Sequence, residues 1–352
     1  MRKLPLEKPP ASICLLRLSA IGDVTHMLPL IATLQSQWPE TKLTWIIGST
    51  EYQLVKSLAD IEFIVFDKRN GFVEYLKLRK RLNGRRFDLL LMMQVALRAN
   101  LLSLMIPAEI KLGYDRQRAR DFHGLFRNYS IDGPARVHVL DTFFQFIEKL
   151  GISERKMDWL VKADSEALEF ARNHVDAQTV VINPCSSVRA NNWRNWPVEN
   201  YAELIDRLMR AGRKVILTGG PSEIEQQFGQ SIGKACQRAP QNLVGKTSLM
   251  QLLALLEGAG LLIAPDTGPA HMATMAGIPV VGLFASSNPL RTGPYNSQDI
   301  VVNAYPDALL KYSHKSVAEA AWGERVRDPE VMKLITVDSV FERVESCLQL
   351  AC

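Results

Sequence analysis

Several signatures are missing from this 352-residue sequence, and each absence removes a class of protein. Its five cysteines, Cys14, Cys185, Cys236, Cys347 and Cys352, are odd in number, scattered and without a Cys-x-x-Cys pair. That excludes a disulfide framework and a structural zinc site, and it reads the thiols as small core hydrophobes. No Gly-x-Gly-x-x-Gly occurs, so hydride transfer on a nicotinamide dinucleotide loses its main support. No Asp-x-Asp occurs either, which removes the paired carboxylates that commonly bridge a metal to a diphosphate and predicts a site without metal. The longest apolar runs, Leu89 to Met93 and Ile278 to Phe284, fall far short of the ~20 residues of a spanning helix. Met1 to Pro10 carries charges and three prolines but no apolar signal stretch, so the chain is expected to be cytosolic and non-spanning. Strong charge of one sign is lacking too: 42 Lys and Arg against 37 Asp and Glu give +5. That is too little for a dedicated nucleic-acid binder, yet it suits anionic substrates or contact with an anionic membrane surface.

What is present is ordinary for a globular enzyme, with 47% hydrophobic and 22% charged residues, which excludes collagen-like, coiled-coil and disordered chains. The length favours two domains. Short apolar or β-branched runs alternate with helical patterns throughout, the habit of parallel α/β folds. Strands are expected at Ser12 to Leu18, Leu43 to Ile47, Phe63 to Phe66, Asp88 to Met92 and Ile110 to Gly113, with helices at Thr25 to Gln37, Tyr75 to Asn83 and Val139 to Leu150. After a charged, mixed stretch reaching about Gln178, a second alternation runs through Thr179 to Asn183, Lys214 to Thr218, Leu243, Leu261 to Ala264 and Val280 to Phe284. Its helices are read at Val198 to Arg210, Ile224 to Cys236, Leu249 to Ala259 and Pro269 to Met275. This predicts an α/β chain of two Rossmann-like lobes, residues 1–165 and 166–330, facing a central cleft that is the default ligand site. The tail, 331–352, is read as a helix that packs back on the first lobe.

Two stretches place chemistry at the ends of predicted strands, where parallel sheets bind ligands. The first is Arg17-Leu18-Ser19-Ala20-Ile21-Gly22-Asp23-Val24-Thr25-His26. Gly22 permits a close backbone approach or a positive φ, and Asp23 stands at a helix start, either as a cap or as a working carboxylate. His26, one turn on, either orients that carboxylate, touches a substrate or packs in the core.

The second is Asp266-Thr267-Gly268-Pro269-Ala270-His271, the makings of an exposed helix N-terminus suited to a diphosphate. Upstream, Ser186 and Ser187 leave the lobe's first strand, and Arg194 in Trp193-Arg194-Asn195-Trp196-Pro197 offers a fixed charge to phosphate oxygens. The tryptophans read as packing. Gly219-Gly220-Pro221-Ser222-Glu223 is another tight turn, whose Glu223 either accepts from ribose hydroxyls or favours a helix start.

Arginines cluster in the first lobe. Gln94-Val95-Ala96-Leu97-Arg98 and Gly113-Tyr114-Asp115-Arg116-Gln117-Arg118-Ala119-Arg120 supply Arg98, Arg116, Arg118 and Arg120, a fork-lined pocket for carboxylate or phosphate or else solvated loop charge. The run Lys77 to Arg86 lies on or after a helix and reads equally as a lipid-facing surface or an exposed face.

Taken together, these motifs resemble glycosyltransferase family 9, which contains the ADP-heptose:lipopolysaccharide heptosyltransferases and has the GT-B fold. The first motif is more similar to heptosyltransferase I than to heptosyltransferase II. The resemblance implies Asp23 as general base, with Ser19, Gly22, His26 and the four arginines on the acceptor side. It also implies Arg194, Asp266, Thr267, Gly268 and His271 around a nucleotide-heptose, with Ser186, Ser187, Glu223 and Thr247 nearby. Arg194 stands in place of the family's usual lysine, and Cys185 where glycine is frequent. The implied reaction is an inverting, metal-independent heptose transfer from ADP-heptose to the Kdo region of the lipopolysaccharide inner core, with no cofactor, at the cytoplasmic face of the inner membrane. A nucleotide-sugar epimerase of the same fold and a non-catalytic nucleotide-sugar-binding regulator are the rival readings.

Overall fold

The computed structural model describes residues 3–186 and 192–350. It divides into two compact units at Val161 and Lys162. In the first unit the order is β1 (Ser12–Leu16), α1 (Ile21–Gln37), β2 (Lys42–Gly48), α2 (Ser49–Val55), β3 (Ile61–Phe66), α3 (Phe72–Leu82), β4 (Phe87–Met92), α4 (Leu97–Ser103), β5 (Ala108–Gly113), β6 (Tyr129–Ser130) and α5 (Val139–Glu148). The second runs α6 (Ser165–Arg172), β7 (Val180–Ile182), α7 (Val198–Arg210), β8 (Val215–Leu217), α8 (Glu223–Ala235), β9 (Gln241–Asn242), α9 (Leu249–Gly258) and β10 (Leu261–Pro265). It continues with α10 (Gly268–Ala276), β11 (Val280–Phe284), α11 (Pro289–Thr292), β12 (Val302–Asn303), α12 (Tyr305–Ser313) and α13 (Val337–Leu350).

Each unit holds one six-stranded sheet whose ladders are all parallel, ordered β3-β2-β1-β4-β5-β6 and β12-β11-β10-β7-β8-β9. Read in the second unit's own chain order, the two sequences of strands are the same. The order reverses between β1 and β4 and between β7 and β10, where Leu16 pairs with Met92 and Ile182 with Ile263. A parallel sheet covered on both faces wants continuously apolar strands. Ile13 to Leu16 and Leu89 to Met92 are accordingly without solvent exposure.

The structure departs from the sequence reading in several places: Leu243, read as a strand, lies just past β9, and α2, α4, β6, α11, β12 and α12 went unread, while three further departures bear on the site and the domains. The first helix starts at Ile21 rather than Thr25, so Gly22 lies in its first turn and has no positive φ. A helix, α6, occupies part of the stretch read as interdomain; Asp164 Oδ1 caps it by accepting from Ala167 N at 2.9 Å. It buries only Ala167 and Ala171, two side chains too small to mark an apolar period. The terminal helix belongs to the second unit, not the first. Arg207 on α7 pairs with Asp338 at 2.6 Å, and Val340, Val344 and Leu348 join the second core.

That core closes around Trp196, which is fully buried, donates Nε1 to Ile335 O at 3.0 Å and meets the Tyr201 ring edge-on at 5.0 Å. The tryptophan of the Trp-Pro motif is thus packing, as its sequence context suggested. Trp196→Ala is expected to cost about 3–5 kcal/mol. Urea unfolding followed in the second unit measures it.

Candidate active site

In the first unit the loop from Arg17 to Ala20 leaves β1 at the point where the strand order reverses, the address at which such sheets bind ligands. It is tied to its neighbours on both sides. Leu18 N donates to Gln94 Oε1 at 2.9 Å, Gly48 N to Leu18 O at 3.0 Å, and Trp45 Nε1 to Arg17 O at 3.0 Å. A side chain at Gly48 would collide with the Leu18 carbonyl, so glycine is what allows this approach. Gln94 Nε2 also reaches the half-buried Ser19 hydroxyl, at 3.4 Å.

Asp23 occupies the third position of α1 and is 31% exposed. Its Oδ2 accepts from Ala20 N at 3.2 Å and pairs with the Arg17 guanidinium. Arg17 in turn donates to Met93 O and lies 5.4 Å from the Phe143 ring centroid. Among the described residues every contact of the Asp23 carboxylate falls on Oδ2, which leaves Oδ1 to accept a further proton or hydrogen bond. Asp23 thus takes part in the cap, one of the two roles the sequence left open for it, with Oδ1 still available. Beyond it, Glu51 at the start of α2 is pushed above the usual carboxylate range by burial, despite its own backbone hydrogen bond and the Lys68 and Arg17 charges.

The other predicted acceptor-side residues separate. His26 is buried between α1 and α5, its ring edge-on to His138 at 5.4 Å, so it packs in the core and does not line the loop. Arg118 is committed internally. It clamps Asp115, with its Nε 2.6 Å from Oδ2, and reaches Gln145, thereby pinning the loop after β5 rather than offering a free fork. Partial burial would raise the pKa of Asp115, but the Arg118 hydrogen bonds outweigh this and hold it low. Arg98, Arg116 and Arg120 remain exposed. The same loop is fixed by His123, whose Nδ1 is 2.6 Å from Asn100 Oδ1 while Nε2 accepts from Tyr114 N at 3.1 Å.

In the second unit the reversal lies between β7 and β10. There Arg194 Nη1 donates to Asp266 O at 2.7 Å and sits 3.2 Å from Asp266 Oδ2, with Arg325 Nη2 at 3.8 Å from the same oxygen. Thr267 caps α10, accepting from Ala270 N at 3.4 Å, and Pro269 has no N–H. The Gly268 N–H and the positive end of the helix dipole are left facing outward. His271 is buried in the first turn and a half of that helix. Ser186 is engaged locally: its hydroxyl donates to Asn192 Oδ1 at 2.8 Å and its N–H to Asn195 Oδ1 at 2.8 Å. Ser187 lies outside the described residues. Thr247 is half-buried just before the α9 cap, and Glu223 is exposed at the start of α8. The glycine turn there is closed by Glu225, which accepts from Gly220 N at 2.9 Å and from Ser222 Oγ at 2.6 Å.

Sequence reading quoted Arg17 and Gln94 without giving them roles and missed Arg325. Arg325 arrives by a bridge between Ser287 and Arg325, reinforced by Ser286 Oγ donating to Val326 O at 2.8 Å, in a stretch with no periodicity to flag it. Burial lowers the pKa of Arg325; Asp266 raises it, and Arg194, Arg291 and Arg327 lower it further. Four guanidiniums thus concentrate positive potential on the edge where α10 begins. Among the described residues no group of three or more His, Cys, Asp or Glu could hold a metal ion.

Two open parallel sheets thus carry a partly exposed carboxylate at one reversal point and an arginine-ringed helix start at the other. Residues 75–320 match the model of glycosyltransferase family 9 (heptosyltransferase), and the chain belongs to that family. It is 38% identical over 338 residues, 96% of each chain, to the lipopolysaccharide core heptosyltransferase OpsX of Haemophilus influenzae. Its fold resembles a family 9 glycosyl transferase from Veillonella parvula, with TM-score 0.77, 24% identity and 97% of each chain covered. It likewise resembles the E. coli heptosyltransferase WaaC with ADP, with TM-score 0.72, 21% identity, and 96% and 99% of the two chains covered. The fold is GT-B.

His123 yields a pH prediction. Burial, and the Arg127 charge after it, lower its pKa from 6.5 to about 4. Between those values the unfolded chain binds more protons than the folded one, so stability is full above pH 6.5 and declines as the pH falls toward 4. From pH 7 to 5 this amounts to about 2 kcal/mol. Urea unfolding of His123→Gln at the two pH values should show a correspondingly shallower loss; an unchanged slope counts against the assignment.

Proposed function

We propose that the chain transfers heptose from ADP-heptose to the Kdo region of the lipopolysaccharide inner core, with inversion and without a metal. The observation that carries this is Asp23: a carboxylate with one oxygen held by Arg17 and the Ala20 N–H, the other available at the strand reversal. The similarity to an H. influenzae protein named as a lipopolysaccharide core heptosyltransferase supports the sugar and the pathway.

In this reading Asp23 Oδ1 takes the proton from an acceptor hydroxyl as the oxygen attacks the anomeric carbon and the bond to the diphosphate opens through an oxocarbenium-like state. Attack from the face opposite the leaving group inverts the configuration. Arg17 keeps the carboxylate aimed. Charge builds on the departing diphosphate, and Arg194, Arg325 and the Gly268 N–H with its helix dipole supply the stabilisation a metal would otherwise give. Thr247 and Glu223 contact the nucleoside side. Arg98, Arg116 and Arg120 meet the carboxylates and phosphates of a Kdo-lipid A acceptor. No helix among the described residues is long and apolar enough to cross a membrane, and the enzyme is placed by this proposal on the cytoplasmic face of the inner membrane, bound peripherally.

The test is incubation with ADP-heptose and Kdo-lipid A, with mass spectrometry for one added heptose and a parallel arm in EDTA. Product in both arms is expected. Donor turnover that needs no acceptor, or loss of product in EDTA, overturns the proposal. Asp23→Ala should keep donor binding and lose about 10²–10⁴-fold in kcat. Arg194→Ala should instead weaken ADP binding by about tenfold or more, measured by calorimetry.

A further inference from the structure

The outward faces of α3 and α4 break the rule that a surface helix turns its polar side to water. On α3, Leu78 and Leu82 enter the first-unit core, while Phe72, Val73 and Leu76 are exposed by 74%, 56% and 52%. At about 100° per residue these three lie on one stripe with Lys77 and Lys80, opposite the buried face. On α4, Ala99 and Leu102 enter the same core, and Leu97, Leu101 and Leu104, at the i, i+4 and i+7 spacing, form an exposed stripe. Both helices therefore cover the same face of the first sheet.

The loop after β5 extends this surface. Asp121 Oδ2 accepts from Leu97 N at 3.0 Å and Asn100 Nδ2 donates to Asp121 O at 2.9 Å, which seats the neighbouring Phe122, 77% exposed, beside the first turn of α4. Because all six strands are parallel, the starts of α3 and α4 and this loop all leave the carboxyl edge of the sheet, the edge from which the Asp23 loop also leaves. Eight of the twelve large hydrophobics that stand exposed among the described residues lie between Phe72 and Leu125.

Charge identifies the occupant. Residues 68–127 hold fourteen Lys and Arg against five Asp and Glu, an excess of nine, although the whole chain has +5 and the remainder is therefore negative. Exposed aromatic and aliphatic side chains set among lysines and arginines match an anionic bilayer, whose acyl boundary takes the one and whose headgroups pair with the other.

We propose that this rim of α3, α4 and the Phe122 loop inserts shallowly into anionic lipid. It thereby sets the carboxyl edge of the first sheet, with Asp23, at the membrane surface where a lipid-borne acceptor presents its sugar. The surface argument stands on exposure and charge; its catalytic meaning rests on the acceptor proposed above.

Vesicle flotation of the full chain tests it with neither donor nor acceptor present. The wild type is expected to float with phosphatidylcholine vesicles containing phosphatidylglycerol, to bind them less at high salt, and to ignore pure phosphatidylcholine. Phe72→Asp/Leu76→Asp should reduce that binding about tenfold or more while leaving transfer to a soluble, acyl-free acceptor unchanged. A second variant, Lys77→Glu/Lys80→Glu, keeps the apolar stripe and should also lose binding to the anionic vesicles. Failure of the wild type to float, unimpaired flotation of either folded variant, or a wild-type dimer that Phe72→Asp/Leu76→Asp dissociates overturns the proposal. Vesicle binding without any heptose transfer would instead overturn the acceptor reading alone.

Discussion

The structure depends on one topological constraint: in each unit the chain lays down three parallel strands in one direction and then returns to the first to lay down three more. Strands leaving a parallel sheet from its centre have loops that diverge to opposite sides, and the opening between them is made of backbone rather than side chains. In the first unit that opening lies between the loops after β1 and β4, occupied by Asp23 and Gln94. In the second it lies between those after β7 and β10, occupied by Ser186 and Asp266. Both constellations of chemistry sit at the same address in their sheets because that is where the diverging loops leave the carboxyl edge open.

How much of this was legible in the sequence follows from what each element buries. The strands β1, β4 and β11 and the helix α7 were visible because they bury large branched or aromatic residues, and periodicity reads those directly. Helix α6 was not, because alanines carry its contact. The reach of α13 onto the second core was not, since an amphipathic helix announces that it needs a partner but not which one. At the sites, the motif glycines, the Asp23 carboxylate and the Thr267 cap were readable from local pattern. The internal commitments of Arg118 to Asp115 and Gln145, of His26 to His138 and of Arg325 to Asp266 depend on residues far apart in the chain or on loops without a period, and only the folded chain displays them.

Charge is distributed by task more than by total. In the first unit the stretch from Lys68 to Arg127 carries fourteen arginines and lysines, some as internal clamps such as Arg118 and some exposed. The second gathers guanidiniums around a single buried carboxylate. Asp266 is central to that arrangement: without an anion nearby, four guanidiniums on one sheet edge repel one another, and its carboxylate offsets part of that repulsion while leaving the helix start open.

The anchoring of Arg17 carries a different implication. Its guanidinium is held by the main-chain oxygen of Met93 and the face of Phe143, and its own carbonyl by the indole of Trp45. The Met93 carbonyl also accepts from Tyr114 Oη at 3.2 Å, which joins this frame to the residue just before the loop that bears Arg116 and Arg120. The orientation of Asp23 is thus held from the interior of the sheet, with one thread running out to the segment after β5. A lineage that altered Arg116 or Arg120 to greet a different surface while keeping that tyrosine would inherit the same aimed carboxylate.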